Sequence, residues 1–151
     1  MDQSIAKKEK KILVVEDDHG INSLISYNLS KEGFEVVSVY DGLTAQNRIS
    51  NEVFDIVLLD IMLPGIDGFH ICKAIKDDSA AYKTFVIILS AKAEWQDKVY
   101  GNLVGADYYL TKPFSIVKLL EIINELLVMR NKEYSVSNRG ILNKPLKEVR
   151  V

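Results

Sequence analysis

The sequence predicts a doubly wound α/β fold in which five strands alternate with five helices. Short, β-branched and continuously apolar runs recur along the chain, as is typical of parallel strands buried on both faces. Segments with helical spacing of apolar residues separate these runs. The chain has 151 residues, 48% of them hydrophobic, which is the size and composition of one domain with a full core. The alternation favours a parallel sheet with right-handed crossovers.

Each element follows from a local pattern. In chain order, the strands are predicted at Ile12–Val15, Glu35–Val39, Ile56–Leu59, Val86–Leu89 and Tyr108–Leu110. Only Glu35–Val39 is mixed in polarity, and it follows Gly33, which is a helix stop. The intervening helices are predicted from Ile21, Leu24, Ile25 and Leu29; from Leu43, Ala45 and Ile49 behind the capping residue Asp41; from Phe69, Cys72 and Ile75; from Val99 and Leu103; and from Phe114 to Met129.

Composition predicts the organisation of the chain and excludes several classes of protein. We expect a leader over residues 1–10, a single domain over residues 11–131, and a flexible basic tail over residues 132–151 with no effector domain. The net charge of −2 argues against direct DNA binding. Cys72 is the only cysteine, which excludes a disulfide within the chain. The N-terminus lacks a signal-peptide core, and no apolar stretch is long enough to span a membrane. We therefore expect a cytoplasmic protein.

Chemically active side chains stand where the predicted strands end. The first strand runs into Glu16 and Asp17, the third ends in Asp60, the fourth in Ser90, and the fifth leads to Lys112. Ligands of open parallel sheets bind at this edge. Crowded carboxylates need a cation, and oxygen ligands with retained water suit Mg²⁺. Together with an ammonium and a hydroxyl, the set predicts phosphoryl transfer to a carboxylate.

Four motifs in order, ILVVEDD, DIVLLDIMLPGIDG, IILSA and GADYYLTKPF, make the chain resemble a response-regulator receiver domain of the CheY-like kind. The resemblance covers about 120 residues, which is roughly four-fifths of this chain. It implies a flavodoxin-like sheet with strand order 2-1-3-4-5. It also implies that a sensor histidine kinase or a phosphotransfer protein donates a phosphoryl group from a phosphohistidine to Asp60.

The same resemblance implies the metal site. Asp17, Asp60 and the backbone carbonyl of Met62 would bind Mg²⁺, with Mn²⁺ as the alternative ion, and Glu16 would act through water. Lys112 would hold phosphoryl oxygens, and the Lys112–Pro113 peptide bond would be cis.

The resemblance further implies how the signal is passed on. Ser90 would contact the phosphoryl group, and Tyr109 would be the switch aromatic that acts with it. The face formed by the fourth helix, fifth strand and fifth helix would bind a downstream protein. Met62 and Lys92 occupy the positions that tune dephosphorylation. Neither side chain orients a water as an acid or amide would, so we expect a long-lived phosphorylated state.

The chain departs from the pattern of family members that dimerise through charged contacts. Tyr100, Tyr108 and Ile122 stand where charged residues are common, and Lys118 stands where an acid is common. The last helix is apolar around much of its circumference. The residues concerned are Ile116, Val117, Leu119, Leu120, Ile122, Ile123, Leu126, Leu127, Val128 and Met129. We expect partner docking or a nonpolar homodimer through this helix, with burial under the tail as the alternative.

The leading hypothesis is a stand-alone receiver that acts as a signalling module and not as an enzyme with an external substrate. Three alternatives stay open. The chain could be a receiver fragment of a longer regulator. It could be a Mg²⁺-dependent aspartyl-phosphate hydrolase of the haloacid-dehalogenase kind, although that family needs an acid where Met62 stands. It could be a flavin-binding carrier, although no Gly/Ser/Thr-rich loop follows the first strand.

Overall fold

Five parallel strands form one sheet in the order β2-β1-β3-β4-β5. The structure is a computed structural model that describes residues 10–78, 80–81, 83–91 and 95–137. Its elements in chain order are β1 (Lys11–Val15), α1 (His19–Lys31), β2 (Glu35–Val39), α2 (Gly42–Asn51), β3 (Ile56–Asp60), α3 (Gly68–Asp77), β4 (Phe85–Ser90), α4 (Trp95–Leu103), β5 (Tyr108–Thr111) and α5 (Ile116–Ser137). The predicted fold class and strand order are confirmed.

The sheet is buried between two layers of helices. On one face, α1 and α5 contribute Ile25, Leu29, Leu119 and Ile123 to an apolar cluster. On the other face, α2, α3 and α4 pack around a second cluster that includes Ala45, Ile71, Cys72 and Ile75. Every residue of the central strand β3 is buried, which is why its sequence is continuously apolar until Asp60. Among the described helices, none combines the length and the apolarity that crossing a bilayer requires.

Three aspartates begin the helices that lead away from the strand ends. Asp18, Asp41 and Asp67 are the N-caps of α1, α2 and α3, and each side chain accepts a backbone N–H of the following turn. Such caps satisfy the donors that a helix leaves free at its N-terminus. Because the strands are parallel, the capped turns after β1, β2 and β3 all lie at the same edge of the sheet.

The last helix differs from the prediction in its bounds and in its exposure. It begins at Ile116, not at Phe114, and continues to Ser137, past the domain boundary expected at residue 131. Over residues 116–130, where side-chain exposure is described, four apolar residues are buried and four more are half-buried, and only Val117 and Val128 are exposed. The wide second apolar face expected from the sequence is thus largely covered by the domain itself.

Arg130 on α5 contacts residues that precede β3 and β4, at the edge of the sheet opposite the carboxyl ends of the strands. Its guanidinium donates to Asp55 Oδ1 at 2.8 Å and to the carbonyl of Lys83 at 2.9 Å, and it lies 4.6 Å from the centroid of the Phe85 ring. A planar guanidinium can make both kinds of contact at once. The predicted leader, except Lys10, and residues 138–151 of the predicted tail lie outside the described residues.

Candidate functional site

The carboxyl ends of β1, β3, β4 and β5 bring the predicted site residues to one edge of the sheet. Glu16 and Asp17 follow β1, Asp60 is the last residue of β3, and Ser90 is the last residue of β4. Lys112 directly follows β5, and its peptide bond to Pro113 is cis. Since β3 lies between β1 and β4, Asp60 is at the centre of this group.

One lysine joins two buried carboxylates. Lys112 Nζ donates to Glu16 Oε1, and it also donates to Asp60 Oδ2 at 3.1 Å. Glu16 has no exposed surface and Asp60 is 4% exposed. An ammonium in this position offsets the repulsion between two acids that have lost most of their hydration.

Burial and charge change the pKa values of Glu16 and Lys112 in a way that favours a further cation. Burial raises the pKa of Glu16 to about 7, the charge of Asp60 adds to this rise, and the hydrogen bond from Lys112 opposes it. Burial by itself lowers the pKa of Lys112, but its contacts with Glu16 and Asp60 raise this pKa above its ordinary value. Lys112 therefore stays charged at neutral pH, while Glu16 still gains by the approach of another cation.

Glu16, Asp17 and Asp60 can point oxygen ligands at one ion. One carboxylate oxygen from each lies within 4.8 Å of the others, and Asp17 is exposed while the other two are buried. An all-oxygen donor set that is open to water on one side fits Mg²⁺, which keeps several of its waters. The donors present at this site thus match the ion that the sequence predicts.

Backbone contacts hold the Asp60 and Glu16 side chains in place. The N–H of Met62 donates to Asp60 Oδ1 at 2.9 Å, and the N–H of Asp18 donates to Glu16 Oε2 at 3.1 Å. A Cβ on Gly68 would lie 2.4 Å from the Cα of Ile61 and 2.6 Å from the carbonyl oxygen of Asp60. Only glycine therefore lets α3 begin this close to the end of β3.

Ser90, at the end of β4, contacts Tyr109 on the neighbouring strand β5. Both side chains are buried, and they are hydrogen-bonded to each other. Burial raises the pKa of Tyr109, and the hydrogen bond with Ser90 opposes this rise. The two residues expected to act as a switch are thus in direct contact.

An open cleft of about 630 Å³ adjoins the site between the loop after β3 and α4. Its lining includes Met62, Leu63, Phe69 and Tyr100. The Phe69 and Tyr100 rings meet edge to face, with their centroids 4.6 Å apart. Met62 is 56% exposed and lies two residues after Asp60. Lys92, the other predicted tuning residue, lies outside the described residues.

Two contacts with the site were not foreseen from the sequence. Asn22 on α1 is completely buried and donates to the backbone carbonyl of Glu16 at 3.0 Å. Gly101 on α4 faces Tyr109, and a Cβ there would lie 2.9 Å from Tyr109 Cδ2. The only signals were a polar residue beside the apolar positions Ile21 and Ile25, and a glycine inside a helix.

Comparisons with known proteins agree with this geometry. A family model described as the response regulator receiver domain matches residues 12–124. One similar solved structure is the BeF3-activated receiver domain of DrrB, which is 35% identical with a TM-score of 0.72. The match covers 78% of this chain and 97% of the DrrB receiver chain. This chain covers only 54% of a longer DrrB structure from Thermotoga maritima, described as an OmpR/PhoB homolog.

Two further solved structures come from other organisms. A CheY-like receiver domain protein of Methanospirillum hungatei is 31% identical with a TM-score of 0.78, over 82% of this chain and 98% of its own. The chemotaxis response regulator CheY4 of Vibrio cholerae is 30% identical with a TM-score of 0.73, over 78% of this chain and 98% of its own. Because the family match spans most of the chain and the sheet has the strand order of these relatives, the chain belongs to the response regulator receiver domain family of two-component systems.

Proposed function

We propose that this protein is a stand-alone receiver that takes a phosphoryl group onto Asp60 in a Mg²⁺-dependent reaction. The observation that carries the proposal is the position of Lys112, whose ammonium contacts both Glu16 and Asp60 beside a three-carboxylate group. An acidic nucleophile with a fixed cation next to it is suited to attack a phosphorus whose charge must be neutralised.

The donor would be the phosphohistidine of a sensor histidine kinase or a phosphotransfer protein. A carboxylate oxygen of Asp60 attacks the phosphorus, the bond from phosphorus to the histidine nitrogen breaks, and that nitrogen leaves with the electron pair. The product is an acyl phosphate on Asp60. Lys112 and the Ser90 hydroxyl would hold oxygens of the transferred group, since both can donate hydrogen bonds there.

Asp17, Asp60 and the carbonyl of Met62 would hold Mg²⁺, or Mn²⁺ as the alternative, and Glu16 would act through water. The ion would supply positive charge against the phosphoryl oxygens. The exposed Asp17 supports this assignment, because a site open on one side leaves room for the donor's phosphoryl group.

The output would pass through the face formed by α4, β5 and α5 to a downstream protein. Val117 and Val128 are exposed on α5, and Tyr100 and Leu103 are exposed on α4, which supports a nonpolar partner. A nonpolar homodimer through α5 is the second occupant to be tested, and a longer regulator containing this receiver is the alternative to stand-alone action. Cys72 is buried and unpaired, which supports a cytoplasmic location.

Acetyl phosphate with Mg²⁺ tests the proposed reaction, with the intact mass followed over time. A gain of one phosphoryl group that maps to Asp60 is the expected result. Rapid multiple turnover without accumulation would favour the hydrolase, and a coloured protein as purified would favour the flavin carrier. No mass gain, with either Mg²⁺ or Mn²⁺, would contradict the proposal.

Asp17→Asn should weaken Mg²⁺ binding by about ten-fold or more, because an exposed metal ligand loses its charge while the core keeps its packing. Calorimetric titration measures the dissociation constant. Asp18→Asn is the matched control, since it removes one charge at the next residue and asparagine is also a good N-cap. Equal losses in both variants would show that the general negative field, and not Asp17 as a ligand, binds the ion.

Gly101→Ala should displace the Tyr109 ring, because the new Cβ would lie 2.9 Å from Tyr109 Cδ2 and 3.3 Å from Ile88 Cδ1. We expect phosphorylation to continue while the response of the α4, β5 and α5 amides to beryllofluoride shrinks in NMR spectra. Ser90→Ala should give a similar loss, since the Ser90 and Tyr109 side chains share one hydrogen bond. Leu103→Ala, at an exposed position of the same helix, is the control. A full response in both Gly101→Ala and Ser90→Ala would contradict the switch.

Met62→Asn should shorten the lifetime of phosphorylated Asp60 by about 10- to 100-fold, because an amide can orient a hydrolytic water and a thioether cannot. Met62 lines an open cleft, so an amide introduced at this position would be exposed to solvent. Adding Lys92→Glu should shorten the lifetime further. Met62→Leu keeps an apolar side chain and should leave the lifetime unchanged. Equal half-lives for Met62→Asn and Met62→Leu would show that this position does not control hydrolysis.

A further inference from the structure

Asn22 is a polar residue completely enclosed at the junction of α1, β1 and β2. It lies in the first turns of α1, between the apolar positions that pack this helix on the sheet. A buried amide at such a position needs partners for each of its polar atoms. Its partners show what the residue does.

The amide nitrogen of Asn22 binds the ends of two neighbouring strands. Nδ2 donates to the carbonyl of Glu16 at 3.0 Å and to the carbonyl of Val39 at 3.0 Å. The N–H of Glu16 donates to the same Val39 carbonyl at 3.2 Å. The side chain therefore joins β1 to β2 at the point where β1 turns into its acidic residues.

A hydroxyl pair contacts the amide oxygen on the other side of Asn22. Ser26 Oγ donates to Asn22 Oδ1 at 3.0 Å and lies 2.6 Å from Ser38 Oγ. Because Ser26 has one hydroxyl hydrogen, Ser38 must be the donor within that pair. Carbonyls only accept hydrogen bonds, so turning the amide round would lose both contacts of Nδ2.

The backbone of Asn22 contacts Asp18, the last residue of the acidic turn that Glu16 begins. Its N–H donates to the carbonyl of Asp18 at 2.9 Å, while its side chain holds the carbonyl of Glu16. Glu16 and Asp17 are thus bracketed by one residue that does not itself reach the carboxylates. Partners that orient metal ligands from behind commonly affect metal affinity by about 10- to 100-fold.

We propose that Asn22 is a positioning residue for the Mg²⁺ site, holding the backbone of Glu16 and Asp17 so that their carboxylates meet Asp60. This inference rests on the proposed function, in which these acids bind the ion. Removing the amide would leave the acids in the chain but would free the turn that carries them.

The test measures Mg²⁺ affinity and the metal-free backbone separately. Asn22→Leu has similar volume and no donor, and its Mg²⁺ dissociation constant should rise about ten-fold. Amide hydrogen exchange at Glu16 and Asp18 should become faster in the metal-free protein. Thr84→Val is the matched control, because it removes a buried hydrogen bond, from Thr84 Oγ1 to the carbonyl of Phe54 at 2.7 Å, at the opposite edge of the sheet.

A folded Asn22→Leu that binds Mg²⁺ like the unmodified protein would overturn the proposal, as would an equal loss of affinity in Thr84→Val. If Asn22→Leu does not fold, Ser26→Ala decides. It leaves Asn22 in place but removes the donor to Oδ1, and it should raise the dissociation constant two- to three-fold, with faster exchange at Glu16, whereas unchanged values would overturn the proposal. Absence of Mg²⁺ binding by the unmodified protein would contradict the proposed function itself.

Discussion

Asp60→Asn should abolish phosphorylation by acetyl phosphate, a loss of at least about 10³-fold in rate. Asparagine keeps the shape of aspartate and an oxygen to accept the N–H of Met62, which now donates at 2.9 Å. It cannot form an acyl phosphate, because an amide has no carboxylate oxygen that can attack the phosphorus. Intact mass, followed by peptide mapping, measures the phosphorylated fraction.

Asp41→Asn is the control for this variant. Asp41 caps α2 by accepting the N–H of Thr44 at 2.7 Å, a role that asparagine also fills. Phosphorylation of Asp41→Asn should match that of the unmodified protein. If Asp60→Asn gains one phosphoryl group at the original rate, the nucleophile is another residue and the site must be reassigned.

Lys112→Met should slow phosphorylation by about 10²- to 10³-fold, the loss typical of removing one group that stabilises transition-state charge. Its effect on metal binding should be the opposite of that of Asp17→Asn. The ammonium contacts Glu16 and Asp60, so it competes electrostatically with a second cation. Losing the Lys112 hydrogen bond also raises the pKa of Glu16 further, so the comparison needs a pH at which Glu16 is ionised in both proteins. At that pH we expect Lys112→Met to bind Mg²⁺ at least as tightly as the unmodified protein.

Lys76→Met separates this effect from loss of stability. Lys76 Nζ donates to Asp107 Oδ2 and to the carbonyl of Thr84, each at 2.7 Å, at the opposite edge of the sheet. The variant should unfold at lower temperature but should keep its phosphorylation rate within about two-fold, because distant sites are nearly independent. Equal rate losses in the two lysine variants would contradict a specific role for Lys112, and weaker Mg²⁺ binding by Lys112→Met would contradict its competition with the ion.

The fold, and the sheet edge where the candidate site residues lie, follow from local sequence patterns. Strands buried on both faces must be continuously apolar, so Ile12–Val15 and Ile56–Leu59 were predicted within one residue of β1 and β3. The mixed strand Glu35–Val39 was predicted with its observed bounds. Parallel strands place all their carboxyl ends at one edge, so the strand-end residues were expected there although they are far apart in the chain.

Which side chains are covered depends on how the elements pack together. Leu24, Leu43 and Leu103 fit the helical patterns, but they are 55%, 67% and 78% exposed. Asn22 is polar and yet has no exposed surface. Spacing along a helix shows that a stripe of residues shares one face, but the depth to which that stripe is buried depends on the sheet and helices packed against it.

The same reason explains the last helix and the contacts of the site. Ten apolar residues on α5 predicted a wide free face, while packing against the sheet and α1 leaves only Val117 and Val128 exposed. The reach of Lys112 to both Glu16 and Asp60, and the hold of Asn22 on the Glu16 carbonyl, depend on distances between separate elements. Local sequence determines the residue types at these positions, and only the packing of whole elements determines which of their atoms meet.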